Sequence, residues 1–344
     1  MTRRLRLLLL AVASLGALAL SSSALAAFTP QLAVSNNPRG TGANGTAIFR
    51  VTVPRTDDAL FRIDIYVPAG YTAPLAQSVG ATIGRVSAQV EVREPIAGAV
   101  LPVQGNILVE NPANHTTSPC APGAHTAVWM LVLQASGQEL RVPAYVDRLE
   151  GAAAQLGAYR IRFCLPSPHI PASLGGATFG AKLIQAQLDL TQVFSTPATS
   201  GEYLWRAIAT PWAAPATPNA GATVEARATI GLPASVSVSA TSRRRVLTVR
   251  GRVVEGPAGV SGANVTVRIG RRAFRVRSSA TGAFSVRLTF RRAGRTTVQA
   301  AASVPVRTAT CSGPSAAPAG CVSQTRAFFT TPALTSRTLR VRIR

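Results

Sequence analysis

Apolar and polar residues alternate with period two along much of this chain, and the alternation predicts strand after strand. Ala47-Ile48-Phe49-Arg50-Val51-Thr52-Val53 follows it. So does Leu60 to Val67, closed by Pro68-Ala69-Gly70. There Phe61, Ile63, Ile65 and Val67 share one face and Arg62, Asp64 and Tyr66 the other, because successive strand side chains point to opposite sides. Val128-Trp129-Met130-Leu131-Val132-Leu133 is continuously apolar, which predicts a central strand covered on both faces. Ala135-Ser136-Gly137-Gln138 then turns the chain, and Glu139 to Val146 returns as a hairpin arm. Tyr159 to Cys164 alternates again. From Phe179 to Val193 two patterns compete. Phe179, Leu183, Ala186 and Leu190 have helical spacing, whereas Leu188 to Val193 alternates; the β surroundings favour strand. Thr210 to Ala222, rich in Pro, Ala and Gly, reads as a long loop, and Thr223 to Ile230 as a strand closing the first part of the chain. With Gly and Pro recurring between short runs of Val, Ile, Thr and Phe, the pattern predicts an all-β protein of antiparallel β-sandwich modules with little helix.

Beyond residue 231 the polar positions of the alternation are largely arginine. Arg250 and Arg252 alternate with Leu247, Val249 and Val253; Arg275 and Arg277 with Phe274 and Val276. Arg287 and Arg291 alternate with Phe284, Val286, Leu288 and Phe290; Arg340 and Arg342 with Leu339, Val341 and Ile343. Period two therefore lays these eight on outer sheet faces as candidate anion-binding residues. Turn arginines Arg243-Arg244-Arg245, Arg271-Arg272 and Arg291-Arg292 add to the same field. From Ala27 to Gly231 there are 13 Lys+Arg against 12 Asp+Glu, whereas from Leu232 to Arg344 there are 20 arginines and one acid, Glu255. The break divides the chain into a near-neutral module, 27–231, and a basic one, 232–344. At roughly 200 residues the first can bury a sizeable core, as one domain or two lobes. A GC-rich coding sequence explains arginine in place of lysine but not the near-absence of acids in one half. Guanidinium suits bidentate contacts to phosphate or carboxylate. The expected partner is an anionic cell-wall polymer, polysaccharide or membrane surface. Sequence-specific reading of nucleic acid is not expected, since no groove-reading helix or aromatic stacking platform is visible.

Within the basic half the order of motifs is telling. Leu247-Thr248-Val249-Arg250-Gly251-Arg252-Val253 leads to a loop at Gly256-Pro257-Ala258-Gly259. Then come Ser261-Gly262-Ala263-Asn264-Val265-Thr266-Val267, Ala280-Thr281-Gly282-Ala283-Phe284-Ser285-Val286, and Arg295-Thr296-Thr297-Val298-Gln299-Ala300. Val236 to Ala301 thus resembles the carboxypeptidase-regulatory-like family of small transthyretin-like sandwiches, whose grammar bacterial Ig-like repeats share. The resemblance implies a seven-stranded extracellular accessory domain, sometimes classed with carbohydrate-binding folds, with no catalytic residues. The chain departs from it after Ala301, with a Ser/Ala/Pro-rich stretch flanked by Cys311 and Cys321 and a final strand at Leu339 to Ile343.

The first residues set the compartment. Arg3, Arg4 and Arg6 precede an apolar run from Leu7 to about Leu20, followed by Ala24-Leu25-Ala26, the layout of a secretory signal peptide over 1–26. No later stretch is long and apolar enough to span a membrane, so a secreted, cell-surface-associated protein is expected. Four cysteines in an oxidising destination favour two disulfides. Three pairings are possible; Cys120–Cys164 and Cys311–Cys321 keep each bond within one module. His115 and His125 flank Cys120, but no Cys-x-x-Cys spacing exists, and neither a metal nor a cofactor is expected. Catalysis has few candidates. Asp57-Asp58 reads as a solvated turn, Asp64, Asp147 and Glu150 lack a paired-carboxylate geometry, and none of the three histidines stands near a nucleophile elbow. Trp129 reads as core; Trp205 and Trp212, flanking a loop-like stretch, are candidates for stacking on sugar. The sequence therefore points to a non-enzymatic structural or binding protein held on an anionic envelope or matrix polymer by its arginine face. A carbohydrate-binding accessory protein using tryptophan is the alternative, and an unrecognised extracellular hydrolase the third.

Overall fold

A computed structural model of the chain describes residues 28–94, 96–135, 137–304, 307–312, 321–325 and 333–344; the leader, 1–26, lies outside them. Among the described residues the alternating runs form twenty strands longer than two residues. The first eleven are β1 (Gln31–Asn37), β2 (Asn44–Thr52), β3 (Leu60–Val67), β4 (Thr82–Val92), β5 (Ala99–Glu110), β6 (Ala127–Ala135), β7 (Gln138–Arg148), β8 (Tyr159–Cys164), β9 (Lys182–Ser195), β10 (Gly201–Ala213) and β11 (Val224–Leu232). The rest are β12 (Ala234–Arg243), β13 (Val246–Glu255), β14 (Asn264–Ile269), β15 (Arg272–Arg277), β16 (Ala283–Thr289), β17 (Gly294–Ser303), β18 (Arg307–Ser312), β19 (Cys321–Thr325) and β20 (Leu339–Ile343). Among the described residues helix is confined to short 3₁₀ turns. Every named strand pairing is antiparallel, as the period-two pattern requires.

One long sheet runs β1-β2-β9-β4-β5-β6-β7-β8-β3-β10-β11-β18-β19. It wraps on itself, so that β1 lies against β11 and β18, and Thr310 Oγ1 donates to the Pro30 carbonyl at 2.9 Å. The enclosed faces make one continuous apolar core. At its aromatic end Trp205 is packed edge-on by Tyr71 (4.9 Å between ring centres), Phe49 (5.1 Å) and Phe194 (6.4 Å), the offset geometry that ring quadrupoles favour.

The disputed 179–193 segment is strand from Lys182 onward, where β9 sits between β2 and β4 in register with both, while Phe179 lies in a short 3₁₀ turn before it. The 128–133 run is covered on both sides as expected, with Trp129 toward the main core and Val128 in a small outer cluster with Ala121 and Tyr145. Thr210 to Ala222 departs from the expected loop. β10 continues to Ala213, and Pro211, which has no N–H to donate, sits where the register against β3 shifts, a place where a sheet tolerates proline.

Past Leu232 the chain builds a sandwich. One layer is β12-β13-β16 and the other β15-β14-β17-β20, closed over Val249, Val253, Val267, Phe284, Val298 and Ala300. Between β17 and β20 the chain crosses back, and β18 pairs with β11 to extend the first sheet. Where the two halves meet, Ala234 N–H donates to the Arg39 carbonyl and Gly256 N–H to that of Pro233, each at 2.8 Å. Gly231 is required there: a Cβ would stand 2.6 Å from the Glu255 carbonyl carbon. Beside it Arg39 and Glu255 form an ion pair at 2.9 Å with side chains only 4% and 7% exposed.

Candidate anion-binding face

Pairing on the outer layer of the sandwich sets which arginines share a face. In β14, Val265, Val267 and Ile269 are buried, so Asn264, Thr266 and Arg268 face out. Arg277 stands opposite Asn264 and Arg275 opposite Thr266. On the other side Gln299 is opposite Arg268, and across β17 Arg295 is opposite Arg342 and Thr297 opposite Arg340. Arg268, Arg275, Arg277, Arg295, Arg340 and Arg342 therefore stand on one exposed face among Thr, Asn and Gln. Residues two apart on a strand are about 7 Å apart and neighbouring strands about 4.8 Å. By these spacings Arg268, Arg275 and Arg277 form one group and Arg295, Arg340 and Arg342 another, with neighbours about 5–8 Å apart inside each group and about 12 Å between the two. The ~8 Å Debye length at physiological salt therefore couples charges within each group more than between them.

Arg250, Arg252 and Arg287 face out from the opposite layer, among Ser237, Ser239 and Ser285. Arg291 lies in the exposed turn after β16. Seven of the eight arginines singled out in the sequence are thus divided between two opposite faces, and the eighth, Arg291, lies on neither. Arg268 and Arg295, absent from that set, complete the richer one; their alternation with Val267, Ile269 and Val298 was the available signal.

Charge pairing separates the two halves. In the first, arginines are engaged: Arg55 with Glu91, Arg141 with Glu110, Arg160 with Asp147, Arg162 with Asp64, and Arg206 and Arg227 with Glu225. Among the described residues, no ion pair reaches any of the six face arginines. The one acid of the second half, Glu255, is buried at the joint with Arg39.

The remaining candidates have structural positions. Trp205 is fully buried and offers no ring face to a sugar; its strand alternates Trp205, Ala207 and Ala209 into the core. Trp212 is half-buried, its indole N–H donates to the Leu165 carbonyl at 3.1 Å, and its ring packs edge-on to Phe61. The two do not form a platform. Asp57 is not a solvated turn residue: it is buried and accepts from the Thr29 backbone N–H at 2.5 Å and hydroxyl at 3.0 Å, while Lys182 Nζ donates to its carbonyl. Asp64 and Tyr66 are buried as well, although their face of β3 points away from the main core. Asp64 accepts both ends of the Arg162 fork. Asp147 accepts from Arg160 at 2.6 Å and lies 2.9 Å from His125 Nδ1. Burial opposes its ionisation, but the hydrogen bonds from Arg160 and His125 outweigh that and hold its carboxyl below the ordinary range.

This polar cluster fastens the 117–125 segment to the sheet. Arg162 donates to the Cys120 carbonyl, His125 Nε2 contacts the Ala121 carbonyl, and Cys120 is disulfide-bonded to Cys164. His125, beside Cys120 in sequence, thus serves a structural clamp. Cys311 is also disulfide-bonded and stands opposite Cys321 in the β18–β19 register. No cluster of three metal-ligating side chains occurs among the described residues, and no helix among them is long and apolar enough to cross a membrane.

No protein-family model matches this chain, and no characterised protein matches it in sequence. Nothing there supports the resemblance of residues 236–301 to the carboxypeptidase-regulatory-like family. A solved structure of the D0-D1 domain of intimin matches over 90% of this chain and 96% of that one at 10% identity, with a TM-score of 0.20, well below that of chains sharing a fold.

Proposed function

We propose that this is a secreted, non-enzymatic binding protein that attaches to an anionic polymer of the cell envelope or matrix through its outer arginine face. The observation that carries this reading is the placing of Arg268, Arg275, Arg277, Arg295, Arg340 and Arg342 on one exposed sheet face with no acid to neutralise them. Like charges opposed across strands destabilise a sheet, and Arg295 faces Arg342 directly. A bound chain of phosphates or carboxylates relieves that repulsion and satisfies several guanidinium forks at once. Six of the twelve acids of the first half, Asp64, Glu91, Glu110, Glu139, Asp147 and Glu225, are held in ion pairs with arginine. The test is retention of the chain from residue 28 onward on purified envelopes across a salt series. Retention at low salt and release near 1 M supports attachment by charge; retention indifferent to salt, or none at low salt, removes it.

A further inference from the structure

One end of the wrapped first sheet is hollow. The aromatic cluster around Trp205 fills the other end. Along each strand the change comes at a definite place: Leu131 and Leu133 follow Trp129 on β6, Phe163 follows Tyr159 on β8, and Leu183 to Leu188 precede Phe194 on β9. Beyond those points the inward residues are Val, Ala, Leu and Ile with the single ring of Phe163, and they do not meet across the sheet. They leave a cavity of about 410 Å³. Small-molecule sites occupy ~300–1,000 Å³, and an engineered apolar cavity of ~150 Å³ already binds benzene. The mouth lies between the stretch from Leu165 to Thr178, which crosses from β8 toward β9, and the start of β7 at Glu139–Pro143.

The rim has its own chemistry. Leu174, on the loop over the mouth, is 74% exposed, and Ile96 in the β4–β5 turn is 68% exposed. Loop and turn are joined, because the backbone N–H groups of Arg93 and Glu94 both reach the Phe179 carbonyl, at 2.9 and 3.2 Å. Phe179 itself has φ 59°, a conformation a bulky residue holds only where its surroundings impose it. Large apolar side chains held in water beside an apolar cavity mark a surface that meets an apolar partner.

The lining decides what that partner is. A charged or peptide-like ligand inside loses its hydration and finds almost no hydrogen-bonding side chain in return. An aliphatic chain loses nothing polar by entering, and its headgroup stays in water at the rim. We propose that the first half of the protein binds one aliphatic chain of a lipid amphiphile in this cavity, the chain entering past Leu174 and Ile96. The site is independent of the arginine face.

The test titrates the chain from residue 28 onward with cis-parinarate, a linear polyene fatty acid that fluoresces in apolar surroundings, and displaces it with oleate. Saturable binding of one probe per chain, reversed by oleate, is expected. Ala88→Phe and Ala186→Leu, which fill the lining from β4 and β9, should each weaken it at least ten-fold with an unchanged β-sheet circular dichroism spectrum. If one variant fails to fold, the other decides. A second arm presents the same polyene esterified in phosphatidylglycerol vesicles: uptake there identifies a membrane lipid as the source, and uptake of the free acid alone identifies a fatty acid. An absence of saturable binding, or unchanged binding in the folded variants, overturns the proposal.

Discussion

Replacing Glu255 by alanine tests the joint between the two halves. Arg39 and Glu255 meet at 2.9 Å with side chains 4% and 7% exposed. Burial draws the Arg39 guanidinium below its ordinary range while Glu255 pulls it back, so the carboxylate is what offsets the lost hydration. Removing one partner of a buried pair typically costs about 3–5 kcal/mol, because the other charge is left uncompensated. At roughly 2 °C per kcal/mol for a chain of this size or somewhat smaller, that is a drop in Tm of about 6–10 °C. The assay is urea and thermal unfolding followed by two probes. All three tryptophans, Trp129, Trp205 and Trp212, lie in the first half, so tryptophan fluorescence reports it alone, whereas far-ultraviolet circular dichroism reports both. Wild type should unfold with coincident curves; Glu255→Ala should lower and separate them. The double variant Arg39→Met/Glu255→Leu should recover most of the loss, since apolar replacement of a buried pair is often neutral or better. A cost below about 1 kcal/mol for Glu255→Ala, with curves still coincident, would refute the argument that this pair pins the halves together.

Three further outcomes follow from the same geometry. Cys120→Ser/Cys164→Ser opens a cross-link spanning 44 residues and should cost about 4 kcal/mol by loop entropy, read as a lower urea midpoint. Trp205→Ala, in a fully buried site among Phe49, Tyr71 and Phe194, should cost about 3–5 kcal/mol; a loss under 1 kcal/mol would place that ring outside the core. Burial, and then the Arg93 charge, hold His169 below its ordinary range, with Arg93 Nη2 2.9 Å from its Nδ1. The unfolded chain therefore takes the proton first. The contribution of His169 is intact above a pH of about 6.5 and is lost as pH falls through the folded value. His169→Gln should make the unfolding midpoint fall less than in wild type between a pH of about 7 and 5.

Strands were legible because one buried face imposes period two, and β2, β8 and β16 follow it residue by residue; β3 departs at its start, where Leu60 enters the core in place of the expected Phe61, which packs on Trp212 beside the register shift. Pairing across the sequence was not. Nothing local tells β9 to lie between β2 and β4, or β18 to leave the sandwich for β11, because those choices are made by distant partners. The burial of Asp64 and Tyr66 is not written locally for a related reason: their face of β3 is covered by the 117–125 segment, held there by Cys120–Cys164 and Arg162. Trp205 carried a readable signal, alternating with Ala207 and Ala209, but the nearby prolines and alanines suggested a loop. The arginine face was the more legible part of the function, since alternation alone turns Arg275, Arg277, Arg340 and Arg342 outward; only the register shows that Arg268 and Arg295 join them and that Arg250, Arg252 and Arg287 do not. The cavity could not be read at all, because it depends on which small residues face one another across the wrapped sheet.

The most direct test of the arginine face compares two variants of the chain from residue 28 onward on immobilised polyphosphate. One carries glutamine at Arg268, Arg275, Arg277, Arg295, Arg340 and Arg342; the other carries it at Arg250, Arg252 and Arg287. If six guanidinium groups meet a single anionic strand, log affinity should fall with log salt with a slope of about −4. The six-residue variant should lose both the affinity and the slope, while the three-residue variant should keep most of each. Equal losses per charge removed, whichever face is changed, would contradict it and reduce the binding to net charge alone.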